Sequence, residues 1–371
     1  MLPDIVSNKC KKPFFDHPFD FTEFNFAIES RDQHSGCGLD GFDYFSLKRT
    51  PINYKLELLD IYNAMHTSGQ YPDTWKDSYV HLINKPDGSG LRPIAMTFCL
   101  CKIFEIMIKN RLQWYCEHNH IFPADQSGFR KDRSCRDNLT NLALYVEDGL
   151  NEDRDTLAAF LDIRGAFDNV LPQQLIEQLG EIGVSNSVLC FVRHLTFERT
   201  IYTEVNMDKP RYARKGVPQG SPLSPTFYLI YSAKATQGIS KFVRVSKLAD
   251  DIGLYTKVLP FSKSRNLLEK AVETVRTNLL GLTLELNLTK TKLIHFNRKG
   301  IGPGSTSITS NGCEIKSIEK ARFLGLTFDF EFSFRQHVKA VAMKCQKAHR
   351  DNEIHLRYLV GRRPWDSLDP V

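Results

Sequence analysis

Three aspartates stand out by the company they keep. Asp162 ends the apolar run Leu157-Ala158-Ala159-Phe160-Leu161, and Asp250-Asp251 are bracketed by Leu248-Ala249 and Ile252-Gly253-Leu254. Singly, each has an ordinary reading: an Asp-Asp pair makes many solvated turns, and an Asp often just closes a strand. The apolar flanks argue for more, because they draw the acidic pair toward the interior, where carboxylate charge is costly unless a cation neutralises it. Mg²⁺ prefers such oxygen ligands and keeps several waters, so two or three carboxylates at one point are enough to hold it. Two such ions about 4 Å apart perform phosphoryl transfer, one activating the attacking hydroxyl and one holding the phosphates. If the two strands are sheet neighbours, about 4.8 Å apart, their acidic tips converge on one spot.

The elements that must position these residues are legible in outline. The chain to about residue 20 mixes Pro, Lys and Phe and reads as a weakly ordered lead-in. Gly36–Gly41 is a tight loop feeding a helical pattern on Leu56, Leu59 and Ile61. Tyr79–Ile83 reads as a strand broken by the turn Lys85-Pro86-Asp87-Gly88, and helices are expected over Cys99–Leu112 and Asp137–Leu150. After Asp162, Asp168 or Asn169 can cap a helix with Pro172 in its first turn and Gly183 near its end. A loop at Gly216–Pro222 leads into a helix over Ser221–Ala235, and Lys247–Tyr255 is a hairpin turning at Asp250-Asp251. Strands follow near Leu282–Leu286, Leu293–Phe296 and Phe323–Phe328, then a basic helical stretch from about Phe334. Strands and helices are intermixed, with antiparallel hairpins rather than a regular βαβ series, so the fold class is α+β.

Bulk properties restrict the function less. A chain of 371 residues can build two or three packed sub-domains, and its 42% apolar and 25% charged residues are ordinary for a globular protein. No apolar run is long enough to cross a bilayer and no secretory signal opens the chain, which places the protein inside the cell, in nucleus or cytoplasm. Nine scattered cysteines lack zinc-ligand spacing and read as free thiols. A net charge of +6 permits a polyanionic partner without demanding one.

Longer strings carry a resemblance. Phe160-Leu161-Asp162-Ile163 with Ala166-Phe167-Asp168, the loop Gly216-Val217-Pro218-Gln219-Gly220-Ser221-Pro222-Leu223-Ser224-Pro225, and Leu248-Ala249-Asp250-Asp251 resemble three catalytic motifs of reverse transcriptases from non-LTR retrotransposons. Leu91-Arg92-Pro93-Ile94, Lys102-Ile103-Phe104-Glu105 and Gln126-Ser127-Gly128-Phe129-Arg130 are similar to their fingers motifs. Asn287 with Lys290-Thr291-Lys292 resembles a later palm motif, and Phe323-Leu324-Gly325 the primer grip. Gly38-Leu39-Asp40-Gly41 and Trp75-Lys76 fall where the family has an N-terminal extension. The likeness runs in order over about residues 20 to 330.

The resemblance implies an RNA-directed DNA polymerase of right-hand architecture. Residues 1–79 would form the N-terminal extension, 80–155 the fingers, 156–330 the palm with its antiparallel sheet, and 331–371 a partial thumb. Asp162 and Asp250 would bind two Mg²⁺ ions with help from Asp251 and the carbonyl of Ile163. Phe167 would lie under the nucleotide sugar and exclude a 2′-hydroxyl, although a core role suits the same ring. Gln219 would lie against the nascent base pair, and Arg92, Lys102 and Arg130 would grip the triphosphate. Lys290 would be the general acid for pyrophosphate, with Lys292 as competitor. The partners would be an RNA or DNA template, a DNA primer and dNTPs, with the basic segment Arg335–Arg363 tracking the duplex.

Some positions depart from the family. Leu248 replaces the usual aromatic at the head of the acidic hairpin, the helix over Phe227–Ala235 lacks the usual polar pattern, and the Gly36–Gly41 loop lacks a proline. No nicking-domain or Cys/His-knuckle pattern accompanies the motifs, so a fragment of a transposable element is expected. One alternative is a domesticated or inactive remnant that still binds nucleic acid; the intact carboxylates and Gln219 weigh against it. A group II intron-type maturase is another, and it would call for a splicing-associated domain.

Overall fold

The computed structural model describes residues 13–84, 90–204 and 206–361. The turn expected at Lys85-Pro86-Asp87-Gly88 and the end of the basic segment at Arg363 lie outside these residues.

Four helices open the described chain: α1 (Pro13–Asp16), α2 (Phe21–Glu29), α3 (Tyr44–Arg49) and α4 (Ile52–Ser68). The expected weak order up to residue 20 does not hold beyond Pro13. Phe15 and Phe19 are buried, and Arg111 forks onto Glu23 while bonding the carbonyls of His17 and Pro18. A four-residue helix has no periodicity to announce it; long-range aromatic packing makes it. On α4 the buried face is Lys55, Leu59, Tyr62 and His66, whereas Leu56 and Ile61 are exposed.

Strands β1 (Asp77–Asn84) and β2 (Leu91–Met96) precede helices α5 (Cys99–His118) and α6 (Cys135–Asn151). Then come β3 (Thr156–Leu161), β4 (Ile163–Arg164), α7 (Pro172–Glu181), α8 (Asn186–Thr196), β5 (Arg199–Tyr202) and β6 (Arg211–Ala213). Helix α9 (Ser224–Tyr231), the hairpin of β7 (Arg244–Leu248) and β8 (Asp251–Thr256), and α10 (Phe261–Gly281) follow. The chain continues through β9 (Glu285–Leu286), β10 (Lys292–Phe296), β11 (Ser307–Ser310), β12 (Cys313–Lys316), β13 (Lys320–Phe323), β14 (Leu326–Asp329) and α11 (Arg335–Gly361).

Two four-stranded sheets organise these elements. One has the order β2-β1-β5-β6 and contains a parallel pair, β1 with β5, that the sequence did not announce. The other, β10-β3-β8-β7, is antiparallel throughout. The mixed α and β composition with antiparallel sheets agrees with the expected class. Every residue of β3 is buried because both sheet faces are covered. Leu157, Ala159 and Leu161 join the main core with Leu268, Val272 and Val275 of α10. Ala158 and Phe160 face a second core with Leu142 and Val146 of α6 and the aromatic rings of β13 and β14. The main core runs from Phe15 to Ile315, so the N-terminal helices, α5 and the antiparallel sheet share one interior.

Two expected elements take other forms. Phe323–Phe328 is a hairpin rather than one strand, turning at Leu324-Gly325, both at positive φ, with Phe323 opposite Leu326. The helix expected over Ser221–Ala235 ends at Tyr231 and is followed by a 3₁₀ turn over Ala233–Thr236. Helix α7 starts with Pro172 but has no side-chain cap; Asn169 bonds the carbonyl of Arg164 instead. Among the described residues no helix is long and apolar enough to cross a membrane, and every cysteine is unpaired.

The ring of Phe323 stacks on that of Phe160 at 4.4 Å and 15°. Phe323→Ala is therefore expected to cost roughly 3–5 kcal/mol in chemical denaturation. A loss below about 1 kcal/mol would mean that this ring does not hold the hairpin to the sheet.

Candidate active site

Strand β3 lies directly beside β8, with Leu161 opposite Ile252, so Asp162 emerges next to the start of β8 at Asp251. The β7–β8 hairpin pairs Leu248 with Asp251, leaving Ala249 and Asp250 as the turn. The turn thus stands one residue earlier than expected: Asp251 begins a strand, and Ala249 takes the positive φ of 57°. A non-glycine residue in that region needs outside support. Gln126 provides it, its Oε1 accepting from the N–H of Ala249 at 3.0 Å and of Gly128 at 2.9 Å. Ser127 N–H donates to the Lys247 carbonyl, as does the Asn138 amide. A Cβ on Gly128 would stand 2.5 Å from Ala249 N, so only glycine lets this segment lie so close. The Gln126–Gly128 motif is therefore a clamp on the acidic hairpin, a role its sequence does not reveal.

Asp250 and Asp251 each feel the charge of Asp162. Burial raises the pKa of Asp250, the charge of Asp162 adds to the rise, and Arg92 opposes it. Desolvation on its inner side, with the charges of Asp250 and Asp162, pushes Asp251 up to about 6, although the residue as a whole is exposed to solvent. None of the three forms an ion pair among the described residues. Uncompensated negative charge of this kind suits a cation. Among the described residues, however, no three His, Cys, Asp or Glu side chains are gathered closely enough to cage an ion alone. A bound ion would take further ligands from water and phosphate, as Mg²⁺ prefers.

A cavity of about 570 Å³ opens beside them. Arg92, Asp162, Ile163, Phe167, Asp168, Gln219, Asp250 and Lys290 are among the residues that line it. Ile163 reaches it from β4, which pairs with β9. The Phe167 ring is half-buried and stacks on Tyr228 of α9 at 4.7 Å and 25°. Lys290 is exposed in the turn after β9, which Asn287 ties to the Asp162 carbonyl through a 2.8 Å bond. The Gln219 amide donates to Asp168 at 3.0 Å, and its carbonyl accepts from Ala95 N–H on β2 at 2.6 Å. Gly220 follows at φ 130°, where a Cβ would lie 2.3 Å from the Ala95 carbonyl oxygen. The loop is thereby sewn to β2 on one side. On the other, Gly216 and Val217 donate to the carbonyls of Val170 and Phe167.

Several expected contributors lie elsewhere. Lys102 is buried on α5 near Cys99 and Glu105 and does not line the cavity; burial lowers its pKa. Arg130 is spent on a two-pronged pair with Glu117 at 2.8 and 2.6 Å and on the carbonyls of Pro123 and Gln126. Its neighbour Phe129 lines the cavity instead. Arg130 is drawn to the carboxylate and carbonyls that the fold brings near, whereas Lys102 is held away from the cavity by its burial on α5. Lys292 sits in β10 opposite Phe160, outside the cavity wall. Phe323, Leu324 and Gly325 are also outside it, beneath the sheet.

A model of the family "Reverse transcriptase (RNA-dependent DNA polymerase)" matches residues 83–328, more than half of the chain. The chain belongs to the reverse transcriptase family. It is 27% identical over 359 residues to the probable RNA-directed DNA polymerase from transposon BS of Drosophila melanogaster, covering 92% of this chain and 39% of that protein. Identity is 26% over 345 residues to the RNA-directed DNA polymerase from mobile element jockey of the same fly, covering 89% and 37%. It is also 26% over 240 residues to the retrovirus-related Pol polyprotein from type-1 retrotransposable element R2 of Popillia japonica, covering 59% and 32%. The expected kinship with non-LTR retrotransposon reverse transcriptases holds, while the chain spans less than half the length of these relatives.

In this reverse transcriptase chain one acidic residue carries no signal in the sequence beyond its motif. Glu105 of α5 is fully buried, and its carboxylate accepts from the Ser221 hydroxyl in the Gln219 loop and from the Cys101 thiol. Burial pushes it up to about 7, against the pull of Ser221 and Lys102. Nothing in sequence spacing links positions 105 and 221; only packing does. For both Glu105 and Asp251 the folded pKa lies above the ordinary 4.5 and 3.8, so the stabilisation belongs to the protonated form. It is present at low pH and lost as pH rises through about 6 for Asp251 and about 7 for Glu105. Burial lowers the pKa of His66, His194 and His295, which acts in the opposite direction over the same range, so the test is a comparison: the melting temperature of Glu105→Gln relative to metal-free wild type should rise as pH increases through about 7. A difference that does not change with pH would contradict the Glu105 assignment.

Proposed function

We propose that the chain is the polymerase core of a non-LTR retrotransposon reverse transcriptase, extending a primer 3′-hydroxyl with dNTPs on an RNA or DNA template. The observation that supports this reading is the β3–β8 pairing, which brings the end of β3 at Asp162 beside the start of β8 at Asp251, with Asp162, Asp250, Phe167 and Gln219 lining one cavity. The proposed division is an N-terminal extension over 1–79, fingers over 80–155, palm over 156–330 and the start of a thumb from 331. Together these make the right-hand layout of a template-directed polymerase.

Two Mg²⁺ ions, when bound, would activate the primer hydroxyl and neutralise charge on the triphosphate. Asp162 and Asp250 would hold them, assisted by Asp251 and the Ile163 carbonyl. Arg92, the positive charge that acts on Asp250, is the best-placed grip for phosphate oxygens. Lys290, exposed at the wall, would protonate the departing pyrophosphate. Phe167, braced from behind by Tyr228, would close the space that a ribose 2′-hydroxyl needs. Gln219 would lie along the nascent base pair, its side chain oriented by Asp168.

Incorporation of labelled dTTP on poly(rA)/oligo(dT) with Mg²⁺ tests the reaction. Wild type should incorporate, and Asp250→Asn should lose roughly a thousandfold or more in rate. Extension surviving that change would remove the metal assignment, and normal duplex binding without incorporation would favour a non-catalytic remnant. Phe167→Ala should improve ribonucleotide use relative to deoxynucleotide by roughly 10- to 100-fold, measured as a ratio of kcat/KM values. An unchanged ratio would return Phe167 to a purely packing role.

A further inference from the structure

Glu105 sits among the apolar side chains of α5, with Ile103, Phe104, Ile106 and Met107 all buried around it, and is itself 0% exposed. An apolar side chain of similar volume would pack there at lower cost than a carboxylate. The use of the acid therefore lies in what its two oxygens hold. Oε1 accepts from the Cys101 thiol at 3.6 Å, and Oε2 accepts from the Ser221 hydroxyl. Lys102, on the same helix, acts on it as a positive charge.

Ser221 lies between the Gln219 loop and α9. That helix opens after Leu223, an N-cap residue that offers no side-chain cap. The Leu223 N–H donates instead to Ser221 Oγ at 3.2 Å, and the Ser221 hydroxyl passes the contact on to Glu105. The carboxylate thus stands at the positive end of α9 and supplies from another helix the acceptor that α9 lacks. A charged acceptor makes the stronger hydrogen bond.

The tie falls where the loop needs one. Gly220, at φ 130°, is free to turn, so the residue after it has to be anchored from outside. Before Gly220 the loop is held by the Gln219 carbonyl on Ala95 N–H; after it, Ser221 is held by Glu105. Gln219, Gly220 and Ser221 all line the catalytic cavity, and Glu105 does not.

We infer that Glu105 is a positioning residue for nucleotide binding: through Ser221 it fixes Gly220 and Gln219, and so sets the cavity's affinity for a dNTP that it never touches. The ligand's identity as a dNTP rests on the polymerase reading. A role confined to filling the core beneath α9 would alter melting and leave nucleotide affinity alone.

The test measures dTTP binding without chemistry, on a dideoxy-terminated oligo(dT) primer annealed to poly(rA) with Mg²⁺. The dissociation constant is read from the dTTP concentration that protects the complex against a heparin challenge. Glu105→Leu should raise it about tenfold, whereas Glu105→Gln, which keeps an oxygen for Ser221, should stay within about twofold of wild type. Ser221→Ala should raise it as well, and the double variant Glu105→Leu/Ser221→Ala should match Ser221→Ala within about twofold. Removing both polar partners leaves no orphan between them, so the double variant keeps this comparison available even if Glu105→Leu alone melts early. In the metal-free protein without nucleic acid, amide exchange over residues 217–223 should be about tenfold faster in the double variant, with β3 unchanged.

An unchanged dTTP dissociation constant in the folded variants overturns the inference, and so do additive effects of the two changes. Unaltered exchange of the loop, no restoration by Glu105→Gln, or a wild type that dTTP does not protect overturns it equally. Protection by dTTP that follows the expected pattern, in a wild type that extends no primer, removes the polymerase reading and leaves this inference standing. Primer extension by variants whose dTTP affinity is untouched does the reverse.

Discussion

Three carboxylates held together repel one another, and the rest of the structure is organised around enduring that repulsion. Burial raises Asp250 and Asp251, and each feels the charge of Asp162. Left to a flexible chain, such groups would separate into water. They stay because β3 is buried along its whole length between two apolar cores and is hydrogen-bonded to β8 in a fixed register. A one-residue slip of that pairing would turn Phe160 and its neighbours to the wrong cores, so the register that packs the sheet also sets the acidic tips.

The hairpin carrying Asp250 needs separate support, because its turn places a non-glycine residue, Ala249, at positive φ. Gln126 and Asn138 hold it by their side chains, and the missing side chain of Gly128 lets the clamp approach. Across the cavity the Gln219 loop is fixed by backbone bonds to β2 and to the segment after Asp162, and by Ser221 against Glu105. Each wall of the cavity is therefore tied to elements distant in the chain. Glu105 in particular makes a buried, easily protonated group part of what holds the Gln219 loop.

Much of this was legible in the sequence. The apolar run ending at Asp162 and the bracketed Asp250-Asp251 located the acidic tips, and helix periodicity placed the start of α5 and both ends of α6 within two residues, while α5 runs on past Leu112 to His118. The elements without a signal in the sequence are those whose stability is not local. The two-residue strands β4 and β9 exist only by pairing with each other, and β5 joins β1 in parallel across more than a hundred residues. The first helix exists because Phe15 and Phe19 find a core that α4 and α5 complete.

By itself the sequence determined which chemical groups are present, their order along the chain and the family to which the chain belongs. Residue types and motif spacing record those things directly. Tertiary structure decided which groups meet. Arg130 and Lys102 stand in motifs as promising as that of Arg92, yet Arg130 is committed to Glu117, Lys102 is enclosed on α5, and Arg92 alone of the three lines the cavity. The physical reason is that a charged side chain answers to whatever lies within a few ångströms of it. Distances of that size between residues far apart in the chain are set by packing, and motif spacing does not encode them.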